Sequence, residues 1–240
     1  MRPLRKLYQR CIFIISVNWV KTLYFNFRMF PLNQAIKLPV YFYGSVKFKH
    51  LTGKITINAP LKKGMIGFGQ AYEIMSRSKG IAELSLEGTV TFYGHVQFGK
   101  DYFVFVGPNA SLKMGNMASL GNSGKIICYE NIELGNFARI GFESQLSDTT
   151  AHQMMNTVTG EKYPMTTPIR IGNFNYISNR VTVLVNDVEE LVAVELSEAT
   201  KELEKATAAI ESAETSKARL DASLELKKAT ARLEGINYLS

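Results

Sequence analysis

Large aliphatic residues recur at intervals of six in Leu134/Ile140/Leu146 and again in Ile171/Ile177/Val183, and no other feature of this chain restricts its fold as strongly. A helix face repeats every three to four residues and a half-buried strand every two, so a six-residue beat belongs to neither. It matches hexapeptide repeats, in which each side of a triangular parallel β-helix turns one aliphatic side chain inward. The beat extends upstream through Leu120/Ile126/Ile132 and, with aromatics mixed in, through Leu86/Phe92/Phe98/Val104/Ala110. Small residues follow four positions after the aliphatic, as Ala138 and Ser144, and glycine follows directly in Leu134-Gly135, Ile140-Gly141 and Ile171-Gly172. These glycines fit corners that tolerate no Cβ. Three units make a turn of roughly 18 residues, and no unit buries its apolar side alone. The competing fold is a pair of antiparallel sheets with strands at similar spacing.

The chain has 240 residues, enough for one large domain or a domain with an appendage, and 46% hydrophobic residues, enough for a core. Cys11 and Cys128 lie far apart with no metal-ligand spacing around them, so they read as reduced thiols of a cytoplasmic protein. No metal site, phosphate loop or serine nucleophile elbow is recognisable.

The net charge of +7 is uneven: residues 1–72 hold twelve Lys/Arg and no acid, whereas 187–240 hold twelve acids and seven bases. The basic, aromatic-rich opening is expected to form a helix from Leu4 to about Phe27 that covers an end or side of the prism. Simple solvation of its charges is favoured; the alternatives are an anionic partner, either a membrane surface touched peripherally or an acidic glycan, with nucleic acid not expected. The apolar run Cys11 to Val20 stops at Lys21, too short to span a bilayer, and no small-residue cleavage site follows it. Pro31 and Pro39 end this segment, and apolar clusters from Val40 to Gly69 read as the first, irregular strands. Three regions result: 1–31 helical, 32–185 β, and 186–240 helical.

The stretches Pro39 to Gly44, Leu134-Gly-Asn-Phe-Ala-Arg-Ile-Gly141, Gln145-Leu-Ser-Asp-Thr-Thr-Ala-His152 and Pro168-Ile-Arg-Ile-Gly-Asn-Phe-Asn-Tyr-Ile-Ser-Asn-Arg-Val-Thr-Val183 carry a resemblance. From about Leu23 to Val183 the chain resembles the bacterial left-handed β-helix acyltransferases, particularly O-acetyltransferases of capsular polysaccharide and related sugar synthesis. The left-handed winding is implied by this resemblance alone.

The resemblance makes His152 the general base that takes a proton from a sugar hydroxyl attacking acetyl-CoA, a role suited to imidazole. It makes Asp148 the carboxylate that orients His152, while Thr150 stands where many members have a second acid. Tyr176, in place of a tryptophan, becomes an aromatic wall for acetyl-CoA, and the backbone N–H of Asn179 faces the developing oxyanion. The insertion Thr149 to Thr167 becomes an arm toward a neighbouring subunit of a homotrimer. Lys162, Tyr163 and Arg170 are candidates to line the acceptor cleft or are solvated surface.

After Val183 the family's further coils are expected, yet Asn186 to Glu234 contains no Gly or Pro and has helix-forming composition. Leu196, Leu203 and Ile210 recur every seven residues, with Ala199, Ala206 and Ala213 offset by three, a stripe suited to self-association or to packing on a partner helix. Asp187 and Glu190 read as a capping box, and Thr215-Ser216 as a bend into a second helix from Lys217 to Leu233. One long helix is favoured over a helical hairpin. The abrupt join reads as a fusion or redesign that impairs acetyl-CoA binding, so the alternative to an acyltransferase is an inactive trimeric scaffold carrying a helical module.

Overall fold

The computed structural model describes residues 15–70, 80–153, 155, 160, 162–184, 196–212, 215, 217–219, 222–223, 225–226 and 228–230. Contacts divide the chain into two compact units, residues 1–186 and 187–240.

The first unit is built from short strands that visit three sheets in rotation. The first sheet stacks β1 (Val40–Phe42), β4 (Ile66–Phe68), β7 (Val96–Phe98), β10 (Ala118–Leu120), β13 (Arg139–Ile140) and β16 (Tyr176–Ile177). The second stacks β2 (Val46–Leu51), β5 (Ala82–Leu86), β8 (Phe103–Val106), β11 (Lys125–Cys128), β14 (Gln145–Ser147) and β17 (Thr182–Leu184). The third stacks β3 (Lys54–Ile57), β6 (Thr89–Phe92), β9 (Ser111–Met114), β12 (Asn131–Leu134) and β15 (Ile169–Ile171). Every ladder within the sheets is parallel, which rules out the antiparallel alternative.

The six-residue beat is the register of this stack. Leu134, Ile140 and Leu146 occupy successive sides of one turn, and Ile171, Ile177 and Val183 lie beside them one turn on. The lower three are buried, and their partners are only half-buried because β15, β16 and β17 are the last strands of their sheets. The aromatics in the upstream beat form a column of their own: Phe42, Phe68 and Phe98 stack with ring centroids 5.0 and 4.1 Å apart. That column fills the width that aliphatics fill higher in the prism.

The corner glycines are explained by close approach of adjacent turns. At the third-to-first corner a Cβ on Gly115 would lie 2.5 Å from Asn136 N and Gly135 O, and one on Gly135 would lie 2.7 Å from Asn173 N. The left-handed backbone falls two residues later, on Met117, Phe137 and Phe174, with φ of 62°, 57° and 56°. Gly172 sits at the same corner of the last turn, where an added Cβ meets only the Asn175 side chain, at 3.3 Å. Gly115→Ala is therefore expected to destabilise by about 1–3 kcal/mol, as overpacking against backbone does, while Gly172→Ala stays within about 0.5 kcal/mol. Urea denaturation of the two variants checks the contrast.

The opposite end is closed by a helix. The single helix expected from Leu4 to Phe27 is interrupted at Val17, which forms a bridge to Tyr43, and restarts as α1 (Trp19–Met29); residues 4–14 lie outside those described. Asn18 caps the restart by accepting the Lys21 N–H at 3.1 Å. A short helix, α2 (Leu32–Ala35), follows Pro31. Phe25 of α1 lies edge-on to Phe42, centroids 4.9 Å apart.

Because β1 begins its sheet, Val40 and Phe42 direct their main-chain groups outward, and α1 supplies the partners a strand would have supplied. Asn26 accepts the Val40 N–H at 3.2 Å and donates to the Val40 carbonyl at 2.7 Å. Thr22 Oγ1 accepts the Phe42 N–H at 3.1 Å, and the Asn18 N–H donates to the Phe42 carbonyl at 2.8 Å.

In the second unit α3 (Leu196–Glu211) is the first described helix. Leu203 and Ile210 are half-buried and Ala206 is buried, as the seven-residue stripe requires. The single long helix favoured by composition is broken: Ser212 is in a turn, Thr215 in a bend, and Thr215 Oγ1 accepts the Ala218 N–H at 3.1 Å, capping the helical residues Lys217, Ala218 and Arg219. A threonine that caps a new start is the physical cause of the break. Asp187 and Glu190 lie outside the described residues.

Candidate functional site

The insertion leaves the prism after β14 and returns before β15, at the corner between the second and third sheets. Its base is closed by the Thr167 N–H donating to the Asp148 carbonyl at 3.1 Å and the Thr150 N–H donating to the Met165 carbonyl at 3.0 Å. Antiparallel bridges pair Thr149 with Thr166 and Met155 with Lys162, so the described parts of the segment run antiparallel to each other, as an arm.

His152 lies near the base of this arm and is exposed. Thr150 Oγ1 donates to the His152 carbonyl at 2.8 Å, a bond that fixes the backbone and leaves the imidazole untouched. Thr150 thus braces the arm through its hydroxyl.

Asp148 is engaged by the main chain of the preceding turn. Its side chain is fully buried, and its two oxygens accept the N–H groups of Tyr129 at 2.7 Å and Glu130 at 2.9 Å, one turn below. A buried carboxylate must be met by donors, and here the corner backbone provides them. Asp148→Asn leaves one N–H facing an amide NH2 and removes the charge, so stability should fall by about 2–3 kcal/mol. In thermal unfolding that loss appears as a lower Tm; any turnover per folded molecule stays near that of the parent.

Cys128 is buried beside Asp148, and its thiol is pushed up to about 12, first by burial and then by the carboxylate charge. The unfolded thiol ionises near its ordinary 9.0 while the folded one does not. Its contribution is therefore complete below that pH and lost as pH climbs toward about 12. Buried Tyr102 and half-buried Tyr43, also pushed up by burial, give a slope of the same sign, so comparing the pH dependence of unfolding is expected to show a shallower alkaline slope in Cys128→Ala than in the parent, with the difference starting near pH 9.0.

Asparagines hold the other corners. Asn136 Oδ1 accepts the Asn116 N–H at 2.8 Å, and Asn173 Oδ1 accepts the Asn136 N–H at 2.7 Å. At the first-to-second corner Asn179 Oδ1 accepts the Phe142 N–H at 3.1 Å. Ser144, buried below, donates to the Ser178 carbonyl at 2.9 Å and accepts the Val181 N–H at 3.1 Å. The N–H of Asn179 itself has no acceptor among the described residues, because no described turn stacks on it.

Tyr176 is 65% exposed on the outward face of the first sheet, in register with Arg139. Arg170 is exposed on the third sheet, in register with Glu133, and Lys162 and Tyr163 lie on the returning side of the arm. In a three-sided stack the first sheet lies opposite the corner between the second and third. Tyr176 and His152 of one chain are therefore on opposite sides of the prism, with Asn179 at a different corner from either. His152, Lys162 and Tyr163 share the arm; Tyr176 and Asn179 do not join them within one chain. Among the described residues no cluster of His, Cys, Asp and Glu could hold a metal ion, and no helix is long and apolar enough to cross a membrane.

Sequence reasoning missed the pairing of Thr22 and Asn26 with the edge of β1. Their signal was two polar residues four apart on the helix face that also carries Phe25.

No family model matches the chain, and no solved structure matches it. Among curated proteins, a segment of 62 residues, 26% of this chain, is 95% identical to the "ATP synthase epsilon chain, chloroplastic" of Thalassiosira pseudonana. Over the same length the chain is 87% identical to the protein of that name from Trieres chinensis and 77% identical to that from Phaeodactylum tricornutum. In each case the match spans 47% of the relative, so the chain spans about half the length of the curated relatives it matches.

Proposed function

We propose that residues 32–184 form a left-handed β-helix that transfers an acetyl group from acetyl-CoA to a sugar hydroxyl, with His152 as general base. The observation that carries this reading is the exposed imidazole at the base of an arm that interrupts a regular three-sided stack. The hydroxyl oxygen attacks the thioester carbonyl carbon as its proton passes to a His152 ring nitrogen. The C–S bond then breaks, and the departing thiolate takes that proton back from the imidazolium.

Two features of the last turn fit acetyl-CoA: the exposed Tyr176 ring offers an apolar wall, and the Asn179 N–H offers a donor to the oxyanion. Their separation from His152 around the prism requires a second copy, so the site lies between subunits of a homotrimer. Lys162, Tyr163 and Arg170, all exposed, contact the acceptor. Sedimentation equilibrium tests the assembly: the expected mass is three times 26.9 kDa, and a monomer overturns the reading.

A second reading is a catalytically inactive scaffold bearing a helical module. It is favoured by Asp148, whose oxygens are taken by backbone, and by the 62-residue match. We assign that match to the C-terminal end of the chain: the helical unit at 187–240, which breaks abruptly in composition from the β unit, supplies 54 residues, and the 62-residue match then reaches back at least to Asn179, through β17. The chain is then a fusion of two separately derived modules. Saturable acetyl-CoA binding supports the acyltransferase; no saturable binding at millimolar acetyl-CoA supports the scaffold.

A further inference from the structure

The inner face of α1 is explained by the stack it closes, and the outer face is not. Phe25, Thr22 and Asn26 face β1 and Tyr24 stacks on Phe48 with ring centroids 6.0 Å apart, whereas Val20, Leu23 and Phe27, spaced three and four apart, are exposed. On α2 and just beyond it Leu32 and Ile36 are 70% and 63% exposed. This is far more apolar surface than isolated exposed residues produce.

Lys21, Arg28 and Lys37 are interspersed with these residues, and residues 1–72 contain no acid at all. A second copy docking through this same face would set bases against bases, which costs free energy. A partner with fixed negative charge and an apolar interior meets both halves of the surface.

We propose that the outer face of α1 and α2 docks on an anionic lipid bilayer surface, with Val20 and Phe27 entering the acyl boundary and Arg28 and Lys37 at the headgroups. The 11-residue α1 lies in the interface and does not cross it. This docking stands independently of acyl transfer.

The test is flotation of the full chain with phosphatidylcholine vesicles, alone or with roughly one-third phosphatidylglycerol. The protein is expected to float with the anionic vesicles only and to be released by high salt. The double variant Val20→Ser/Phe27→Ser should lower partitioning at least about tenfold. Both side chains face solvent, so its melting temperature should match the parent's. The pair Leu32→Ser/Ile36→Ser repeats the test on the other segment. Failure to float on anionic vesicles, or flotation undiminished in both double variants, overturns the proposal. So does a vesicle-free assembly that dissociates only in these variants, which would give the face to a second copy.

Discussion

Replacing His152 by alanine is expected to lower acetyl-CoA-dependent thiol release in the presence of acceptor sugars by about 10²–10⁴-fold, the usual contribution of a positioned general base. The substitution is a clean probe. The one described hydrogen bond of His152 is accepted by its main-chain carbonyl, so alanine keeps the Thr150 brace and the arm retains its base. The loss should therefore occur at unchanged Tm and unchanged sedimentation. A parent protein that binds acetyl-CoA saturably but whose turnover is insensitive to His152→Ala overturns the assignment of the base. A parent that shows no binding leaves the scaffold reading standing.

Assembly supplies the second half of that argument. His152 and Tyr176 lie on opposite sides of one prism, so mixing inactive His152→Ala chains with chains impaired at Tyr176 should restore part of the turnover. Each mixed interface can then join an intact arm to an intact wall. Recovery of this kind has no explanation in a site confined to one chain.

The prism was legible because its determinant is local: one inward aliphatic per six residues names the side on which each residue sits. Leu134, Ile140 and Leu146 could be placed without knowing what lies above or below them. Asp148 shows that chain proximity alone is a poor guide to contacts at a corner. Four residues separate it from His152, but the stack brings it to Tyr129 and Glu130, nineteen and eighteen residues back. The asparagines obey the same rule, with Asn136 serving Asn116 twenty residues away and Asn179 serving Phe142 thirty-seven away across the arm. Side chains at corners thus bind a neighbouring turn, and their polarity reports stacking before it reports chemistry. The break in the helical unit was placed at Thr215-Ser216 but ranked below a continuous helix, for a different reason. Thr215 lacks the backbone signature of a loop former, and its effect comes from a hydroxyl competing for one N–H.

The closed end of the prism yields the largest structural effect. Asn26→Ala removes both the acceptor of the Val40 N–H and the donor to the Val40 carbonyl, and both groups are buried under α1. Each orphaned group costs about 1–3 kcal/mol, so the variant should lose about 2–6 kcal/mol in urea denaturation. Thr22→Val tests the principle at smaller scale, because it orphans only the Phe42 N–H and preserves the side-chain shape; about 1–3 kcal/mol is expected. If the helix contributed only apolar cover, Asn26→Leu would be neutral or stabilising, because Phe25 already packs on Phe42. Hydrogen bonding to the strand edge instead predicts that Asn26→Leu is at least as damaging as Asn26→Ala, since leucine also blocks water from reaching Val40. An uncovered β1 then exposes a parallel edge to other chains, and aggregation at the start of unfolding, measured by light scattering, should accompany the loss. Equal stability of Asn26→Leu and the parent would refute this account of how the stack is closed.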